Sequence, residues 1–202
     1  SFLYIGTFSS FIGYSAPFPT LLTNVFDRPD IALAWGFLGA LVGSVSRPLG
    51  GRLSDRVGGS LVTAGSFVLM TAGALGALYS VTGEHLGLFF ASFLALFVAT
   101  GVGNGSTYRM IPAIFRGAAV ERGGSAEDLA VMRRQAAGAI GIASAVGALG
   151  GFLVPICYAW SRDTFGSIVP ALQVYVGLFV VMLAVTWYAY LRPGSRGAAL
   201  GV

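Results

Sequence analysis

Apolar residues run along this chain in long unbroken stretches, and polar residues gather in the gaps between them. A helix that crosses a bilayer needs about 20 mainly apolar residues. Six stretches meet that need, at about 2–26, 31–53, 61–81, 86–115, 135–160 and 168–191. Lipid offers the backbone no hydrogen bonds, so each stretch must be a helix or join a closed barrel. The runs are too long and too evenly apolar for barrel strands, which alternate with period two. The pattern predicts an all-α membrane protein, with six transmembrane helices forming one bundle over residues 1–202.

Composition sharpens this. The chain is 55% hydrophobic and only 10% charged, with a mean hydropathy of +0.79. Soluble domains carry about 25% charged residues and about 7% Gly, whereas here Gly accounts for 30 of 202. A soluble enzyme, a disordered chain and a nucleic-acid binder are all excluded. The net charge of +4 and pI near 9.6 look like a nucleic-acid signal, but the arrangement argues otherwise. All 12 basic residues are Arg, and most stand at the ends of apolar runs. The lone Cys157 allows no internal disulfide and no Cys-based zinc site. His85, the only histidine, lies in a polar gap and is expected to be solvated. No cofactor is called for. The first apolar stretch lacks the basic leader and small-residue cleavage site of a secretory signal.

Arginine counts set the orientation, since cytoplasmic connections are enriched in basic residues. The second and fourth connections and the tail hold eight: Arg52, Arg56, Arg116, Arg122, Arg133, Arg134, Arg192 and Arg196. The other three connections hold two, Arg28 and Arg162. Both ends of this segment are therefore expected in the cytoplasm, with the spans in the inner membrane. The connection at 117–134 is the longest. Within it, Ser125 is a candidate N-cap for an amphipathic lead-in at 127–134.

Two arginines remain, Arg47 and Arg109, and both fall inside apolar runs. An ionisable side chain in a span costs several kcal/mol unless it is paired or lines a wet cavity. Arg47 has no acid at i±3 or i±4. Its planar fork of donors suits a small planar oxyanion; the competing role is snorkelling to headgroups beside Arg52 and Arg56. Arg109 lies nearer the end of its run, where snorkelling is expected. The eight acids all fall in connections or at their edges, so buried carboxylate relays of the kind used in proton coupling are missing from the spans. Residues 103–107, Gly-Asn-Gly-Ser-Thr, place the donors Asn104 and Ser106 inside the fourth run, ahead of Pro112. The fifth run carries Gly138, Gly141, Gly147, Gly150 and Gly151 around Ser144, a density that suits sliding helices or a backbone open to a small ligand. Tyr4 and Phe8 share a helix face, and Phe8 and Phe11 are placed to flank a flat anion.

These residues carry a resemblance. Gly51-Arg-Leu-Ser-Asp55-Arg56-Val-Gly58-Gly59 resembles the cytoplasmic loop motif of the major facilitator superfamily, though Ser60 stands where a basic run often follows. Gly6 to Gly13, the setting of Arg47, residues 103–107 and Ser144 to Gly151 together resemble the nitrate/nitrite porter family, across essentially the whole chain. The resemblance implies the C-terminal six-helix half of a transporter that moves nitrate, nitrite or both by alternating access. It implies that Arg47 grips the anion opposite a second arginine from a missing N-terminal six-helix half, that Phe8 stacks on the anion, and that Tyr4 shapes the site. It makes Ser144, Gly147 and Gly150 part of a signature segment. Gly51, Asp55, Arg56 and Gly58 become a gating motif, with Asp55 and Arg56 clasping helix ends in the outward-open state. An uncharged polar residue is expected where Arg109 stands. The start at Ser1, without Met, suggests that the other half was trimmed away. Without buried carboxylates, nitrate/nitrite exchange is expected; the alternatives are proton-coupled nitrate symport or another small anion. An intramembrane serine protease would need a membrane Ser–His pair, and an aquaporin-type pore two Asn-Pro-Ala turns, and the sequence has neither.

Overall fold

The computed structural model describes residues 2–121 and 123–195. Arg122 and Arg196, counted above for orientation, lie outside the described residues. Helix follows helix along the chain: α1 Phe2–Ser15, α2 Pro17–Phe26, α3 Pro29–Trp35, α4 Phe37–Val57, α5 Gly59–Thr82, α6 Leu86–Glu121, α7 Ala126–Ala148, α8 Gly150–Phe165 and α9 Val169–Thr186. A π-helical turn, Trp187–Leu191, follows α9. Among the described residues there is no strand.

Among the described residues, five helical stretches are long and apolar enough to cross a membrane: Pro29–Val57, Gly59–Thr82, Leu86–Glu121, Ala126–Phe165 and Val169–Leu191. The protein is thus a multi-pass membrane protein. The stretch expected to cross first is divided at Ala16 into α1 and α2, of 14 and 10 residues, each short of the length a crossing needs. Pro17 and Pro19 explain the division, because neither has an N–H to donate to the preceding turn.

The helices run further than the apolar runs that announced them. The connection expected at 52–59 shrinks to Gly58, since α4 continues to Val57 and α5 begins at Gly59. Gly58 has φ +95°, a left-handed conformation that side-chain-bearing residues rarely take. The long fourth connection shrinks likewise, with α6 reaching Glu121 and α7 starting at Ala126. Ser125 caps α7 as expected, its Oγ accepting the backbone N–H of Asp128 at 3.0 Å.

Aromatic rings fill the end of the bundle that carries the α2–α3 and α5–α6 connections. Tyr14, Phe18, Phe89, Phe93 and Phe97 are almost wholly buried. Phe18 stacks on Phe93 with centroids 5.2 Å apart, and Tyr14 meets Phe93 edge-on at 5.9 Å. At the same end Arg28 donates from Nε and Nη2 to Asp30 at 2.9 and 2.7 Å, which raises the pKa of Arg28.

Toward the other end α4 and α6 approach backbone to backbone. A Cβ at Gly50 would collide with the carbonyl of Val102, one at Gly101 with that of Gly43, and one at Gly105 with that of Arg47. Only glycine allows this spacing, which uses van der Waals packing where lipid removes the hydrophobic drive for association.

Candidate functional site

α1 presents Tyr4, Phe8 and Phe11 in one stripe, because residues four and then three apart share a helix face. Tyr4 and Phe8 stack with centroids 5.5 Å apart and planes only 11° from parallel. Across from them, α4 delivers Arg47. Its guanidinium carbon lies 5.7 Å from the ring centre of Phe8 and 5.7 Å from that of Phe11. Both distances fall within the roughly 6 Å at which a ring face attracts a cation. Phe11 is held in place by Phe97, an edge-on contact at 6.4 Å, and by Gly43, which leaves no room for a Cβ.

Arg47 is half-buried. Two ion pairs form among the described residues, Arg28–Asp30 and Arg109–Asp55, and neither includes Arg47. Ring faces temper its charge but accept its N–H groups poorly, so the donors of the fork stay open to an oxyanion. The sequence prediction of an Arg47 without an acidic partner thus matches its surroundings.

The signature segment meets this stripe from behind. The hydroxyls of Tyr4 and Ser144 are hydrogen-bonded at 3.0 Å, and Ser9 donates to the carbonyl of Gly147 at 2.9 Å. A Cβ on Gly147 would stand 2.8 Å from Phe8 Cδ1, and one on Gly150 would collide with Ser9. Ser144, Gly147 and Gly150 therefore support the α1 wall, a role their small size explains. Gly138 and Gly141, by contrast, have open space beside them.

The polar segment of α6 divides. Ser106 faces α5, donating to the Gly59 carbonyl at 2.8 Å and bonded to Thr63 at 3.0 Å. Thr107 meets Thr7 of α1 at 3.3 Å. Asn104 is wholly buried, and neither its Nδ2 nor its Oδ1 has a partner. Asn104 lines a cavity of about 360 Å³ with Arg47, Gly51, Arg52, Tyr108 and Arg109.

Sequence reasoning placed Arg109 among headgroups; in addition its Nη1 reaches Asp55 Oδ2 at 3.4 Å, joining α6 to α4. Asp55, read as a clasp with Arg56, is thus engaged within this bundle; Gly51 is buried between the two helices, Gly58 makes the turn, and Arg56 is exposed. Tyr108 was also missed. Its ring lies 6.2 Å from that of Tyr4, and the only hint was its position four residues after Asn104 on α6. Among the described residues no group of three or more His, Cys, Asp or Glu is arranged for a metal.

The chain is 38% identical over 202 residues to the "Nitrate/nitrite transporter NarU" of Escherichia coli K12, matching 95% of this chain and 43% of that protein. It is 34% identical over 201 residues to the "Probable nitrate/nitrite antiporter NarK2" of Thermus thermophilus, matching 96% of this chain and 42% of that one. The "Probable nitrate transporter NarT" of Staphylococcus epidermidis is 29% identical over 169 residues. The chain spans less than half the length of these relatives, and all three are named as transporters, not enzymes. No family model matches the chain.

Proposed function

This chain belongs to the nitrate/nitrite porter family, and from that premise we propose that it forms the anion-gripping half of a transporter that exchanges nitrate for nitrite. α1 and α2 together make the first of six spans, and residues 1–202 act as the C-terminal half of a major facilitator superfamily transporter. The half-length match to the relatives supports this. Arg47 supplies the charge and the fork of donors, Phe8 a flat wall, and Tyr4 the stacked support behind it. Ser144, Gly147 and Gly150 hold that wall, Asn104 adds polar lining from α6, Ser106 instead ties α6 to α5, and Gly51, Asp55, Arg56 and Gly58 form the gate at the α4–α5 connection. The other half brings the opposing surface, and the site between the halves is exposed to each side in turn. Both ends of this segment face the cytoplasm of an inner membrane.

The observation that carries this reading is a guanidinium without a carboxylate, set between two aromatic rings. When the halves close around an empty cationic site its charge has no counter-ion, whereas a bound anion offsets part of that charge. That asymmetry favours exchange.

The test is counterflow in proteoliposomes of the full-length transporter, preloaded with nitrite and given no proton gradient. The wild type takes up nitrate. Arg47→Lys keeps the charge but loses the fork, and uptake should fall roughly ten- to a hundredfold, the worth of one charged hydrogen bond. Near-normal uptake by Arg47→Lys overturns the binding role, and uptake by the wild type only with a proton gradient and no counter-anion replaces exchange with symport.

A further inference from the structure

Beside Arg47, toward the α4–α5 connection, the 360 Å³ cavity between α4 and α6 gathers three arginines, Arg47, Arg52 and Arg109. No carboxylate lines it. Asp55 holds Arg109 from outside that lining at 3.4 Å, so one negative charge stands against three positive ones. The pairing uses one nitrogen of a guanidinium that has five N–H donors. The Arg109 side chain is also 58% exposed within this chain, so its remaining donors are not buried by α4 or α6.

A second observation is independent of charge. Asn104 lines the same cavity, is fully buried, and has both side-chain polar atoms without a partner. An orphaned buried amide costs about 1–3 kcal/mol, and such groups in native proteins are nearly always satisfied by something. Convergent cations with an unpartnered donor describe a site for an anion. Tyr108 connects this cavity to the wall above it through its ring contact with Tyr4 at 6.2 Å.

We infer that this cavity is a second subsite for a small oxyanion, held by Arg52 and Arg109 with Asn104 and exchanged with Arg47, one step nearer the α4–α5 face. The inference rests on the reading of Arg47 as the anion grip. Arg47 borders both places, so an ion moves between them without leaving positive surroundings.

The test measures nitrate half-saturation separately from each face, using sealed vesicles of both orientations that carry the full-length transporter. Arg109→Gln should raise half-saturation about tenfold from the α4–α5 face and leave the opposite face within about twofold. No rise at the α4–α5 face, or an equal rise at both, overturns the subsite. The variant Arg109→Lys separates anion binding from bracing, because its ammonium can still pair with Asp55 and link α6 to α4 while the planar fork is lost. The one-sided defect should persist in it, and its disappearance overturns the proposal. Should Arg109→Gln not fold, Arg52→Gln serves instead: it is exposed and in no ion pair among the described residues. A one-sided rise of about threefold is expected for it, and none overturns the proposal. Loss at both faces in Arg47→Lys, beside wild-type behaviour in these variants, keeps the central site and removes only the subsite.

Discussion

At one end of the bundle Tyr14, Phe18, Phe89, Phe93 and Phe97 fill the space between α1, α2 and α6 with interlocking rings. Toward the other end Gly50, Gly101 and Gly105 strip side chains away, so that α4 and α6 meet along their backbones. The ring-filled end gains dispersion contacts at every ring face and has little room to rearrange. The glycine-lined end puts carbonyls and guanidinium groups within reach of one another and of a small ion. Under the proposed function, stability and anion handling reside in different parts of one bundle, and substitutions should separate them.

The largest effect on stability is expected from Phe93→Ala. Removing a fully buried ring costs about 3–5 kcal/mol, to be read as a lower unfolding midpoint in detergent. Nitrate half-saturation of the surviving protein should stay near that of the wild type. A marked rise there breaks the separation. Gly105→Ala should cost less stability, about 1–3 kcal/mol, yet raise half-saturation at least as much as any ring deletion. Its new methyl presses on the Arg47 carbonyl and shifts the residue that carries the charge. Unchanged nitrate kinetics in Gly105→Ala would detach backbone spacing from anion handling. Tyr4→Phe is the mildest. It keeps the stack on Phe8 and removes only the hydrogen bond to Ser144, worth about 1 kcal/mol. A small loss of stability with a modest rise in half-saturation is expected, and an effect as large as that of Arg47→Lys would make the Tyr4 hydroxyl a direct ligand.

Sequence reading located the five apolar helical stretches long enough to cross a membrane, because lipid enforces a composition over some 20 residues. It placed the helix ends poorly, and for one reason. Arg52, Asp55, Arg56, Arg116 and Glu121 mark where lipid stops, but charged residues, Arg and Glu above all, are accepted in helices, so the backbone winds on through them. The Arg47 site was legible from an arginine with no nearby acid and from aromatic residues spaced to share a helix face. The Arg109–Asp55 pair was not. It joins residues on different helices, and neither the apolar pattern nor a spacing rule within one helix carries that information. The break at Ala16 had prolines to announce it. The break at Leu149 lies beside Gly150, where the chain presses against Ser9, a neighbour invisible in one dimension.

The 36 residues of α6 make a rod of about 54 Å, nearly twice the thickness of the hydrocarbon layer. Measured from Leu86, Gly101 comes about 22 Å along this ruler and Arg109 about 35 Å. A hydrocarbon layer about 30 Å thick beginning at Leu86 would enclose the first mark and end short of the second. A single continuous helix thereby carries glycine where another backbone is adjacent and a permanent cation nearer its far end. About 18 Å of helix continues beyond Arg109 to Glu121, so α6 reaches past such a layer.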